Sequence, residues 1–225
     1  MAVTYSAKGT IGYGTGAVNA TVPTGYKAGD LLVLFICGRN ALPALPANWT
    51  NINTINNGTN IYFRACYKIS AASEATLSVA DSGSYTVALM TLFKGNDTIN
   101  PINVSGNNIN SGTTFVANGV TTTQNRCMIV YSAGFQDAGT SNDTSNYSSQ
   151  ANASLTNVTE RNDNYYRSGT NINGGIYVVT ANQANAGATG NMSATADSAN
   201  NFSAIVTFAI QEPPPSDTGF LEFFM

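Results

Sequence analysis

Hydrophobic positions in this chain fall into runs more than into stripes. Leu31-Leu32-Val33-Leu34-Phe35-Ile36-Cys37 is apolar throughout and stands between the turn residues Gly29-Asp30 and Gly38. Such a run is too short to cross a bilayer, and its β-branched and aromatic content predicts a strand buried on both faces. Cys127-Met128-Ile129-Val130-Tyr131-Ser132-Ala133, closed by Gly134, repeats the pattern, and 85–93 is a third buried run. Elsewhere the pattern alternates: Ala75-Thr76-Leu77-Ser78-Val79 reads as a strand with one face inward and one wet. Asn56-Asn57-Gly58 supplies the positive φ of a hairpin between strands at 50–55 and 60–70. Further strands are expected at 3–7, 18–22, 102–105, 113–117, 154–160, 174–180, 190–196 and 203–210. Pro43 and Pro46 exclude a central strand across 41–49, a loop leading to Trp49, which is expected to plug one end of the core. Residues 136–152, rich in Ser, Asn and Asp, read as a long polar loop. No segment carries a sustained helical period with caps.

The two halves correspond. Val3–Ser6 matches Ile102–Ser105, Leu32–Gly38 matches Met128–Gly134, and Thr50-Asn51-Ile52 matches Thr156-Asn157-Val158. Ala80-Asp81-Ser82 then matches Ala196-Asp197-Ser198, and Thr86–Phe93 matches Ser203–Ile210. The offset grows from 99 to 117 residues, as insertions in loops would make it. The expectation is an all-β, single antiparallel β-sandwich over 1–211, with pseudo-repeated halves at about 1–95 and 100–211. Leu34 and Val130 are expected at matching depths in its core.

Composition narrows the chemistry. Only 9% of the 225 residues are charged and the net charge is -3, so solubility rests on Asn, Thr, Ser and Gly, and no basic cluster exists to bind a nucleic acid. The chain has no histidine, which removes the commonest general base and metal ligand. Cys37, Cys66 and Cys127 lie in or beside apolar runs without CxxC spacing and read as buried free thiols, although Cys37 and Cys127 could meet if their strands are neighbours. The first residues show no secretory signal pattern and no stretch reaches transmembrane length, so no membrane partner is expected.

Few side chains offer a site. Glu160 and Asp163 are close enough in sequence to be considered as a glycosidase pair, but Arg161 between them suggests a solvated charge cluster. Asp137, Asn142 and Asp143 supply oxygen ligands for Ca²⁺ without any established loop spacing. Tyr165-Tyr166-Arg167 is an aromatic group in a polar loop, either a platform for a surface glycan or a loop anchor. No Gly-x-Ser-x-Gly elbow is present. The expectation is a protein without catalytic residues, bound metal or cofactor.

The order of motifs resembles a β-sandwich family found in bacteriophage virion proteins and in some bacterial surface proteins. The residues that carry the resemblance are Gly29-Asp30-Leu31-Leu32-Val33, Pro46-Ala47-Asn48-Trp49-Thr50 and the segment from Cys66 to Glu74. Phe93-Lys94-Gly95-Asn96-Asp97 with Pro101-Ile102, Thr159-Glu160-Arg161 and Ala186-Gly187-Ala188-Thr189-Gly190 follow. Asn48 stands where the pattern has glycine. The resemblance implies a concanavalin- or jelly-roll-like sandwich and no catalytic residue. Its functional implication is a structural protein of the virion, made in the host cytoplasm. The expected form is a capsid decoration (cement) protein in contact with a major capsid or tail protein and with copies of itself. The alternative is a carbohydrate- or receptor-binding module of a tail fibre or bacterial surface.

The chain closes with Pro213-Pro214-Pro215, a semi-rigid spacer, and with Phe220-Leu221-Glu222-Phe223-Phe224-Met225. An apolar end of this kind is an aggregation hazard when free. Phe220, Leu221, Phe223, Phe224 and Met225 are therefore expected to dock in a groove of a neighbouring subunit, with 212–225 serving as the anchor.

Overall fold

A computed structural model describes residues 2–136, 146–169, 172–197 and 202–215, and the described residues contain strands and no helix. The first half supplies β1 (Thr4–Lys8), β2 (Gly12–Gly14), β3 (Val18–Ala20), β4 (Leu31–Gly38), β5 (Thr50–Asn57), β6 (Ile61–Ile69), β7 (Leu77–Val79) and β8 (Thr86–Lys94). The second supplies β9 (Ile102–Ser111), β10 (Thr114–Ala117), β11 (Thr121–Thr122), β12 (Cys127–Gln136) and β13 (Tyr147–Ala151). It ends with β14 (Thr156–Gly169), β15 (Ile172–Gln183), β16 (Gly187–Ala188), β17 (Met192–Ala196) and β18 (Phe202–Ile210).

Each half folds its long strands into one large antiparallel sheet. The first has the order β1-β8-β4-β6-β5, with β2 extending the pairing on β8, and the second has the order β9-β18-β12-β15-β14. Taken in chain order the two sequences of pairings are the same. The sheets face each other across a core of Val33, Phe35, Phe63, Leu89, Val130, Val178, Val206 and Phe208. Each also buries its outer face. The pair β3-β7 covers the first sheet over Leu34, Ile36, Met90 and Trp49. The three strands β10-β17-β13 cover the second over Ile129, Tyr131, Phe135 and Tyr177. The central strands β4 and β12 are buried on both sides for this reason, as a continuous apolar run requires. The fold is an all-β antiparallel sandwich.

The pairing register corrects one expectation. Leu34 points to the outer core with Ile36, whereas Val130 points to the inner core. Leu89 lies opposite Phe35 and Val206 lies opposite Ser132, so Phe35 corresponds to Ser132 and Val33 to Val130, one residue away from the match made on sequence. Cys37 and Cys127 are likewise separated, in different sheets and facing different cores. All three cysteines are free and buried.

The lateral edges of the large sheets meet in two seams. At one, Asn107 Nδ2 donates to Asn53 Oδ1 at 2.8 Å, Asn53 Nδ2 to Ser105 Oγ at 3.4 Å, and Asn57 Nδ2 to the Asn110 carbonyl at 3.2 Å, joining β5 to β9. At the other, Lys8 Nζ donates to Asn162 Oδ1 at 2.8 Å and the Arg161 guanidinium sits 4.5 Å above the Tyr5 ring, joining β1 to β14. By register Lys8 stands to Asn162 as Ser105 stands to Asn53.

Candidate functional site

The described residues that come nearest to a site lie on β14, the edge strand of the second sheet. Three register shifts interrupt its pairing with β15, one of them between Glu160 and Asn162. A bulge of this kind leaves one residue unpaired and changes which face its successors present. Glu160 lies opposite Val179 and Asp163 opposite Tyr177, and both partners belong to the outer core. The bulge at Arg161 thus puts on one face two carboxylates whose spacing in a regular strand would place them on opposite faces.

Their environments differ. Asp163 is only 4% exposed. Its Oδ1 accepts from Asn146 Nδ2 at 3.0 Å and its Oδ2 from the Tyr147 backbone N–H at 2.7 Å. Burial pushes its carboxyl up to about 7; the Tyr147 N–H and the side chain and N–H of Asn146 oppose the shift, and the Glu160 charge adds to it. Glu160 is exposed, and its Oε2 accepts from Gln150 Nε2 at 2.6 Å. Its pKa is raised by partial desolvation, against the pull of Lys8 and Gln150. Because protein donors take both Asp163 oxygens, the two residues do not present two free carboxyls to one ligand. What the arrangement does is hold the start of β13 against the sheet. There Tyr147 inserts between Phe115, Phe135 and Tyr177, with ring centroids 4.9, 5.0 and 4.3 Å away.

The aromatic group is on β14 and not in a loop, which corrects the sequence reading. Tyr165 is buried in the outer core against Phe135. Tyr166 faces the other way and stacks on Tyr13 of β2 at 3.7 Å between centroids and 12° between planes. Tyr13 remains 49% exposed, so this stack is the most open aromatic surface among the described residues. Sequence reasoning did not single out Tyr13; its place in a Gly-Tyr-Gly step, where flanking glycines leave a ring uncovered, was the available signal. Trp49 packs in the outer core of the first half with Cys66 and Leu34, as a plug would. The Cys37 thiol is pushed by burial up to about 12, the behaviour of an inert core residue. Among the described residues no cluster of three or more Cys, Asp or Glu could hold a metal. Asp137, Asn142 and Asp143 lie outside the described residues, as do Phe220, Leu221, Phe223, Phe224 and Met225.

Comparison with protein-family models, with curated proteins and with solved structures finds no match. The functional reading therefore rests on the chain itself.

The base from which the tail departs is described. Asp97 N donates to the Gln211 carbonyl at 2.9 Å and Gln211 N donates to the Pro101 carbonyl at 2.9 Å, so the end of the last strand is tied to the crossover between the halves. Glu212 Oε1 pairs with Arg126 Nε at 3.1 Å. Pro213, Pro214 and Pro215 then follow, all exposed and outside any strand.

Proposed function

We propose that this chain is a non-catalytic structural protein of a bacteriophage particle, a capsid decoration protein held through Phe220, Leu221, Phe223, Phe224 and Met225. Its partners in this reading are a major capsid or tail protein and copies of itself. The observation that carries the reading is the departure of the chain: a clamped Gln211, an ion-paired Glu212 and an exposed triple-proline step before an almost wholly apolar hexapeptide. Proline cannot donate to a sheet ladder, so residues 213–215 do not continue the pairing of β18. Burying such side chains contributes on the order of 1.5–3 kcal/mol each before the cost of ordering them, which is enough to anchor a small domain. The family resemblance supplies the kind of particle, and the absence of histidine together with the closed environment of Asp163 argues for a role without turnover.

The test is deletion of residues 213–225. The truncated chain is expected to keep its strand spectrum and melting behaviour and to lose binding to particles. Decoration at full occupancy by the truncated chain would remove the anchor from the reading. A second reading, binding of a surface glycan, is favoured by the exposed face of Tyr13 on Tyr166, since sugars stack on open aromatic rings. It predicts glycan binding by the full chain that Tyr13→Ala abolishes.

A further inference from the structure

The pairing that matches Phe35 with Ser132 also matches Arg39 with Gln136, four residues on in each half. Arg39 extends the β4–β8 ladder by one step, its N–H donating to the Tyr85 carbonyl at 3.0 Å, and Gln136 is the last residue of β12. Both stand two residues beyond positions that meet in the inner core, since a Cβ on Gly134 would lie 3.1 Å from Cys37 Sγ. Strand alternation thus puts both side chains on the inner faces, at the same end of the sandwich. The two sheets also meet at that end through Gly174, one step beyond the Phe135–Gly175 pair, where a Cβ would lie 3.7 Å from Tyr85 Cδ1.

Each of the two side chains keeps a buried polar atom without a partner, the donor Nη1 on Arg39 and the acceptor Oε1 on Gln136. The charge makes the first the more costly to leave bare. Arg64 donates to the Pro43 carbonyl, Arg126 pairs with Glu212 and Arg161 donates to Thr180 Oγ1, whereas the Arg39 guanidinium has no ion pair or hydrogen bond with any described residue. Asp81, the acid on the adjoining turn, accepts from the Gly83 N–H at 2.9 Å instead. Arg39 is only half-buried, so its head can be reached from the rim. That rim is aromatic. Tyr13 lies opposite Val87, two residues from Tyr85. Burial raises the Tyr85 hydroxyl, and Tyr13 and Tyr166 stand close enough to raise it further. Tyr85 therefore links the open Tyr13–Tyr166 stack to Arg39.

We propose that Arg39 and Gln136 form the carboxylate-reading end of a site for acidic glycans, with a neighbouring sugar ring stacked on Tyr13. This subsite rests on the second, glycan-binding reading above and is independent of the tail. A guanidinium meets a carboxylate through two parallel hydrogen bonds, and the Gln136 amide can serve an adjoining ring hydroxyl as donor or acceptor. One cation beside one neutral amide balances the single charge of a carboxylate and falls short of a phosphate monoester, which carries about 1.5 to 2.

Cellobiouronic acid and cellobiose are the probes, the same disaccharide with and without one carboxylate. Both are titrated into the full chain and followed by NMR on the Tyr13 and Tyr166 rings and on the Arg39 Nε–H. The acid is expected to bind about tenfold more tightly, the gain from one charge-assisted pair, and it alone should shift the Arg39 resonance. Arg39→Gln should bring the acid down to the affinity of cellobiose. Tyr13→Ala should weaken both sugars, and undiminished binding there removes the stack and the proposed site with it. Equal affinities in the unsubstituted chain, or a preference for the acid that survives in Arg39→Gln, overturn the subsite and leave the glycan reading standing. Binding of neither disaccharide overturns both. If Arg39→Gln does not fold, the Arg39 resonance and the two affinities of the unsubstituted chain still decide.

Discussion

Gly134 of β12 shows how closely the inner faces approach. A Cβ there would lie 2.7 Å from Phe63 Cδ2 and 3.1 Å from Cys37 Sγ, both of them buried side chains of the inner core. Register makes Cys37 and Gly134 equivalent residues of the two halves, so the larger occupies the space that the smaller leaves. Gly134→Ala is expected to cost on the order of 1–3 kcal/mol in urea denaturation through overpacking. Adding Cys37→Ala should recover part of that loss, giving a combined effect smaller than the sum of the two. Strict additivity would show that the two residues do not share the space.

At the level of elements, the sequence made the long strands legible and their parity illegible, for the same reason. A strand buried on both faces has no polar side, so nothing in Leu31 to Cys37 says which residues face which core. That is how Leu34 came to be matched with Val130. β13 was hidden for the opposite reason: after Tyr147 its residues Ser148, Ser149, Gln150 and Ala151 are at least partly exposed, so it reads as loop. β14 runs to Gly169 through Asn162, Asp163 and Asn164, polar residues whose partners are distant in sequence, and its bulges break the alternation that would have announced it. The juxtaposition of Glu160 with Asp163 was illegible because it depends on one of those bulges. The Tyr13–Tyr166 stack bridges β2 and β14. Tyr166→Ala should lower stability by about 0.5–1.5 kcal/mol beyond the apolar area it exposes. Tyr166→Phe, which keeps the stack, should stay close to the parent in thermal melts.

For the whole molecule, the common strand order predicts more than a resemblance of sheets. Rotating the first large sheet onto the second should align all five strands, with Val33 on Val130 and Asn53 on Asn162. A superposition in which those residues fall out of register would refute the equivalence. Circular dichroism should show a spectrum dominated by strand, since the described residues contain no helix.

The two seams hold equivalent places in the halves but differ in chemistry, and that difference has a mechanical outcome. β5 and β9 are laced by neutral amides and a hydroxyl, whereas β1 and β14 are joined by Lys8 and Arg161 with Glu160 nearby. Dissolved ions screen charges and leave neutral hydrogen bonds nearly untouched. Brine should therefore loosen one flank of the sandwich and spare the other. The molecule would open like a book with a fixed spine along β5 and β9, and in exchange experiments at high salt β14 should lose protection while β9 keeps it.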